Sequence, residues 1–202
     1  MLIDGEFIKS KIIDEYKELL KGRLSQKRYY HSLCVADEAK RLADLYGADC
    51  NKAFVAGLLH DITKDASADE HLQIFNAFDI ILSDVEKGGE KLWHAMSGAE
   101  YVKHFLNIDD PEIVSAIRYH TTARADMTRL ETVLYLADFT SADRDYSDVD
   151  VMRRLVDKSE NEALIYALEY TIKELLDKGA AIHPDTVSAY NFAVLKGNKN
   201  EI

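Results

Sequence analysis

Proline is almost missing from this sequence, and where it occurs it fits the start of a helix. Only two are present, Pro111 after Asp110 and Pro184 after His183. A first-turn proline costs a helix nothing, because that N–H has no partner inside the helix. Between these points apolar residues recur at spacings of three and four, and nowhere is the alternation of a strand sustained. Cap-and-return spacings punctuate the chain at Ser67 with Glu70, Ser83 with Glu86, Thr128 with Glu131 and Ser159 with Glu162. Gly22, Gly47 and Gly179 follow periodic segments, where helices stop. The pattern predicts an all-α fold with helices near 6–21, 28–46, 50–61, 67–78, 92–106, 110–121, 128–141, 148–157, 160–178 and 184–196. In the segment 160–178, Leu164, Leu168, Ile172, Leu175 and Leu176 are expected on one face. Loops are expected around Lys87-Gly88-Gly89, from Ala123 to Met127 and from Ser141 to Asp148.

A chain of 202 residues, 47% of them apolar, suits a single domain spanning 1–202 with a substantial core. No apolar run reaches the length of a membrane span, and the opening MLIDGEFIKSKIIDEYKELL mixes charges among its apolar residues, unlike a signal peptide. A cytoplasmic location without membrane partners is the expectation. Cys34 and Cys50 lack zinc-knuckle spacing, so any metal must be held by imidazole and carboxylate. The net charge of −11 argues against gripping a nucleic acid polymer. A small anionic substrate stays open, provided metal ions and local Lys or Arg supply positive charge.

The dipeptide His60-Asp61 closes the apolar run Phe54-Val55-Ala56-Gly57-Leu58-Leu59. Polar groups at the end of a core helix are costly unless both find partners. A metal ion satisfies both; so does a set of caps and hydrogen bonds, and the dipeptide alone does not choose. Adjacent helical residues point about 100° apart, so the two converge only where the helix ends. His31 lies in the amphipathic stretch HSLCVADEA, and Asp138 ends the run Leu134-Tyr135-Leu136-Ala137. Each is weak by itself. Together they present His, His-Asp and Asp from three helices, a plausible ligand set for one ion.

This H…HD…D series resembles the HD superfamily of metal-dependent phosphohydrolases. The runs RYYHSLCVADEAKRLADLYGAD, AGLLHDITKD, WHAMSGAEYV, AIRYHTT and VLYLAD resemble, in order, its YqeK-like branch, as does the tail HPDTVSAYN. The likeness covers most of residues 25–156, and it implies an HD-domain helical bundle with the helices of 157–202 packed on that core. It adds His94 and His120 as ligands. Without it, His94 reads as a helix-start residue packed on Trp93, and His120 as a cation near a helix C-terminus. The implied set is two ions, with His31, His60, Asp61 and Asp138 on one, His94 and His120 on the other, and Asp61 bridging. Members resembling this chain use iron; nitrogen and oxygen donors also suit manganese and similar ions. Cys34, one turn after His31, reads as a buried small apolar residue. His71 and His104 read as helix-surface residues. His183 is expected to lie by the cleft without holding metal.

Asp61 and Lys64 are the expected catalytic residues. Lys64, in HDITK, is placed to return its ammonium to a bound phosphate, and a solvated lysine is the bland alternative. Thr121, Arg124 and Arg144 are the further expected phosphate contacts, a guanidinium being able to grip phosphate in a forked way. Before Arg144, Ser141-Ala142-Asp143 stands where the family more often has an acidic-proline pair. The resemblance implies symmetrical hydrolysis of diadenosine tetraphosphate to two ADP, with water activated by the ion pair. The alternatives are another nucleotide, such as a nucleoside monophosphate or guanosine tetraphosphate, or a non-catalytic nucleotide-binding regulator. Exposed faces of the first and last helices are compatible with a homodimer.

Overall fold

The structure is a computed structural model that describes residues 3–199, with side chains over 11–197. The ends of the expected domain, residues 1–2 and 200–202, lie outside the described residues. Eleven helices and no strand occur among the described residues. They are α1 (Ile3–Arg23), α2 (Gln26–Tyr46), α3 (Cys50–Leu59), α4 (Ala68–Ala77), α5 (Asp84–Gly88), α6 (Trp93–His104), α7 (Pro111–Tyr119), α8 (Arg129–Thr140), α9 (Val149–Lys158), α10 (Glu160–Asp177) and α11 (Pro184–Lys199). A single 3₁₀ turn, Glu90–Leu92, leads into α6.

The core is built where α2, α3, α7 and α8 meet. Val35, Ala36, Ala39, Leu42, Leu58, Leu59, Ile117, Val133, Leu134 and Leu136 are sealed from solvent there. Small residues set the closest approach. A Cβ on Gly57 of α3 would lie 2.8 Å from Ala36 Cα and 2.9 Å from the Val35 carbonyl of α2. Those two backbones therefore touch directly beside the segments that carry His31 and His60. On the outer side, α9 and α10 pack against α8 and α11 against α10, with Met152, Val156, Ala163, Ala167, Leu168 and Ala189 buried among them.

The caps fall where the spacing placed them. Ser83 with Glu86 and Thr128 with Glu131 form reciprocal boxes. Ser67 and Ser159 cap from the side chain alone. Glu70, which would complete the box with Ser67, is drawn instead to Arg23 of α1. Gly47 and Gly179 end α2 and α10 at φ +74° and +60°, the left-handed region open to glycine.

Several expectations are corrected. Gly22 lies inside α1, one residue before its end. The box at Ser83 starts a short helix, α5, which replaces the loop expected near Lys87 and Gly88. Leu176 is 62% exposed and does not belong to the packed face of α10, whose buried residues are Ala163, Ala167 and Leu168. His71 is buried, not on the helix surface. His104 is exposed as expected, near Glu100 and stacked on Phe78.

Candidate metal centre

Helix α3 ends at Leu59 and the chain continues through residues 60–65 as turns, and that change places the first donors. His60 still has helical angles, but the backbone then turns, with the Ile62 N–H on the Leu59 carbonyl at 3.1 Å and the Lys64 N–H on the Asp61 carbonyl at 2.8 Å. His60, Asp61 and Lys64 thereby share one side of the turn. His31 reaches the same point from α2, His94 from the second position of α6, His120 from the C-terminal end of α7 and Asp138 from α8. After His120 the loop enters the left-handed region at Ala123, φ +56°, and the Thr186 hydroxyl of α11 donates to the Thr122 carbonyl at 2.8 Å.

These six side chains converge. Donor atoms of His31, His60 and Asp138 lie within 4.8 Å of one another, as do those of His60, Asp61 and His120. The His94 Nε2 atom is 3.2 Å from Asp61 Oδ1 and 3.1 Å from His120 Nε2. Asp61 directs its two oxygens to different neighbours. Its Oδ2 is 3.6 Å from His60 Nε2, and its Oδ1 is 3.6 Å from His120 Nε2.

Hydrogen bonds behind the rings fix which nitrogen faces inward. His60 Nδ1 donates to the Gly57 carbonyl at 2.7 Å, and His120 Nδ1 to the Ile117 carbonyl at 2.8 Å. A carbonyl only accepts, so each Nδ1 carries the proton and each Nε2 turns a lone pair to the interior. His31 Nδ1 donates to Asp143 Oδ2 at 2.8 Å. Its Nε2, 2.9 Å from Asp138 Oδ1, is buried without a hydrogen bond of acceptable geometry. The Nε2 lone pairs of His31, His60 and His120 are thus turned to the interior, and a carboxylate or carbonyl behind each of these three rings is how metal-ligating histidines are held. The residues present fit a metal group.

Electrostatics favour the same reading. Burial pushes His60 down to about 3 and His94 down to about 4, so both rings are neutral near pH 7. Burial opposes ionisation of Asp61, but the polar cluster around it, with the Lys64 ammonium beside it, holds its carboxyl well below the usual range. Arg144 and His31 do the same for Asp138 against its burial. Neutral imidazoles with ionised carboxylates are the donor state for a divalent cation, and His60 and His94 meet it; at His31 burial is outweighed by the Asp138 carboxylate, which raises that ring above the ordinary imidazole value.

Cations ring the cluster although the chain as a whole is acidic. Lys64 Nζ lies 3.0 Å from His94 Nε2 and 3.9 Å from Asp61 Oδ1. Arg144 donates from Nε to the Asp138 carbonyl at 2.6 Å, and its Nη2 contacts the Asp138 carboxylate. Arg28 Nη1 is 3.5 Å from Asp61 Oδ2. The Thr121 hydroxyl is buried with no partner. Arg124 is not brought to this group: its Nε and Nη2 bind Glu131 at 2.9 and 2.8 Å, and it lines a separate cleft with Phe192 and Lys196.

Sequence reasoning did not find Arg28, Asp143 or His71. Arg28 precedes His31 by one turn of α2, a same-face spacing that signals a neighbour. Asp143, noted only as a departure from the family pattern, is the partner of the His31 ring, and the Ser141 hydroxyl donates to it at 2.8 Å. His71 closes a buried relay. Its Nδ1 donates to Ser97 Oγ at 2.8 Å, Ser97 to Thr63 Oγ1 at 2.8 Å, and Thr63 to the His94 carbonyl at 2.9 Å. His183 lies 3.5 Å from Glu86 and 3.6 Å from Asp185, away from the six donors.

A helical bundle that gathers a His, a His-Asp pair, two further His and an Asp is the architecture of HD-domain phosphohydrolases. The HD-domain sequence profile matches residues 28–143, and the chain belongs to that metal-dependent family. It is 36% identical over 181 residues to a Bacillus subtilis (strain 168) protein named bis(5'-nucleosyl)-tetraphosphatase, symmetrical, across 90% of this chain and 97% of that one. A Halalkalibacterium halodurans protein of the same name is 36% identical over 179 residues, covering 89% of this chain and 95% of its own. The crystal structure of a predicted HD superfamily hydrolase involved in NAD metabolism from Clostridium acetobutylicum superposes with a TM-score of 0.88 at 35% identity, over 91% of this chain and 97% of that one. No helix among the described residues is long and apolar enough to cross a membrane.

Proposed function

We propose that this chain hydrolyses diadenosine tetraphosphate symmetrically, giving two molecules of ADP, at a pair of metal ions. The observation that carries the reading is the convergence of His31, His60, Asp61, His94, His120 and Asp138, with the Nε2 lone pairs of His31, His60 and His120 turned inward. The names of its relatives supply the substrate. His31, His60 and Asp138 would hold one ion and His94 and His120 the other. Asp61, with its two oxygens facing different histidines, would bridge. Iron is the metal we assign, by family resemblance; the donor set also suits manganese. Such an ion pair lowers the pKa of water from about 16 toward about 7 and polarises phosphoryl oxygens.

The chain's own residues then orient the polyphosphate. Lys64, Arg28 and Arg144 present positive charge around the donors and offset the charge on a bound tetraphosphate. The unpartnered Thr121 hydroxyl is free to donate to a phosphate oxygen. Arg124, committed to Glu131, serves the fold of the loop after α7, and we do not assign it to substrate.

Incubating metal-loaded protein with diadenosine tetraphosphate and resolving the nucleotides tests this reading. ADP as the sole product is expected. ATP with AMP contradicts the symmetrical assignment, and turnover of other nucleotides in preference would move the activity elsewhere in the family.

A further inference from the structure

Two clefts open at opposite ends of the donor array, and they differ in chemistry. The array runs from Asp138 through His31 and His60 to Asp61 and His120, and ends at His94. At the Asp138 end a cleft is walled by Phe139, Arg144, Tyr146, Tyr170 and Glu174. The Tyr146 and Tyr170 rings lie 5.2 Å apart at 46°, and Phe139 meets Tyr170 edge-on at 6.3 Å. The Tyr146 hydroxyl donates to the Phe139 carbonyl at 3.1 Å, which fixes that ring. All three rings are half-buried, and Arg144 is the one cation in this wall.

At the His94 end the second cleft is walled by Arg28, Lys64, His71, Glu90, Lys91 and Trp93. Its aromatic groups are already committed. Trp93 and His71 are each 6% exposed, and the Trp93 indole N–H donates to the Glu86 carbonyl at 2.7 Å. What this cleft offers a ligand is a net positive charge, three cations from Arg28, Lys64 and Lys91 against the one carboxylate of Glu90.

We propose that the two clefts treat the two ends of a dinucleoside tetraphosphate unequally. The Asp138-side cleft takes one nucleoside by stacking on Tyr170 and Tyr146, with Arg144 on its phosphates. The His94-side cleft takes the phosphates of the other half on Arg28, Lys64 and Lys91, and makes little demand on the second nucleoside. The inference rests on the proposed function for its substrate, and on the clefts for its asymmetry. A substrate with one nucleoside should therefore serve. Adenosine 5'-tetraphosphate would consume one water and break the bridge between its second and third phosphorus atoms. The water oxygen ends on one of these and the bridging oxygen stays with the other, giving ADP and pyrophosphate.

The test compares diadenosine tetraphosphate, adenosine 5'-tetraphosphate and inorganic tetraphosphate on the metal-loaded protein. With stacking worth about tenfold to hundredfold per base, kcat/KM for the first two should agree within about tenfold and inorganic tetraphosphate should fall at least about tenfold below both. Tyr170→Ala should raise KM for the two nucleoside substrates by about tenfold or more while leaving inorganic tetraphosphate unchanged, and Tyr170→Phe should restore it. Lys91→Ala should weaken all three alike. Adenosine 5'-tetraphosphate as poor as the inorganic chain, or a Tyr170→Ala enzyme with unaltered KM, overturns the proposal. Should the wild type leave diadenosine tetraphosphate intact, the functional reading fails and the cleft assignment is judged by calorimetry with ADP. Loss of ADP affinity in Tyr170→Ala then supports it, and unchanged affinity overturns it. Metal content and circular dichroism matching the wild type separate these effects from misfolding.

Discussion

Asp61 and Asp143 do different work, and replacing each should show it. Asp61 faces both groups of histidines directly, whereas Asp143 acts through the back of the His31 ring. Elemental analysis should find Asp61→Ala without either ion and His94→Ala short of mainly one. Asp143→Asn should keep both sites but lower affinity by about 10- to 100-fold, the usual cost of losing a carboxylate behind a ligating imidazole. Full occupancy in Asp61→Ala would remove it from the bridge. His71 makes a pH-dependent contribution. Burial holds its ring below the ordinary imidazole value, so below about pH 6.5 the unfolded chain binds a proton that the folded chain refuses. Stability is therefore lost as pH falls from there toward the folded value, by at most about 1.4 kcal/mol per pH unit for this group. Urea unfolding at pH 7.5 and 5.0 should show a larger drop for the wild type than for His71→Asn; equal drops would remove His71 from the account. How legible such residues were depended on local signal. His60, Asp61 and Asp138 announce themselves as polar groups ending apolar runs. His94 and His120 sit in ordinary helical contexts, and only family likeness or folded geometry brings them in. Arg28 carries only the hint of its one-turn spacing before His31, and Asp143 acts on a ring far away in sequence, which no local pattern records.

Helices set the spacing of the donors, and α2 against α3 is the tightest case. With no room for a Cβ at Gly57, Gly57→Ala should force those backbones apart at a cost of about 1–3 kcal/mol. Because the Gly57 carbonyl also holds the His60 ring, the variant should lose metal affinity together with thermal stability. A variant that melts earlier yet binds metal as the wild type does would separate packing from the centre. Helix existence was readable from the cap spacing and the two prolines, because capping is decided within four residues. Where the reading failed, tertiary contact won. Glu70 left its box for Arg23, and Leu176 pointed to solvent while alanines packed the face of α10.

Across the whole molecule, an acidic chain carries a local ring of cations around its donors. The net charge of −11 says nothing of this ring, since Arg28, Lys64 and Arg144 come from separate segments. Stripping metal with a chelator should lower the melting temperature, because a ligand bound only by the folded state at about 1,000 times its Kd adds about 4 kcal/mol. No shift on chelation, with metal shown to be removed, would count against a centre built into the core. The donors are spread along the sequence from His31 to Asp138, and each ion would fasten together stretches that diffuse independently in the unfolded chain. Closing a longer span costs only logarithmically more, so an ion lodged late in folding would act as a reversible staple across most of the bundle. Amide exchange in α2, α7 and α8 would then slow in concert as metal is added, and a cell starved of the ion would hold a chain more open to proteolysis along its entire length.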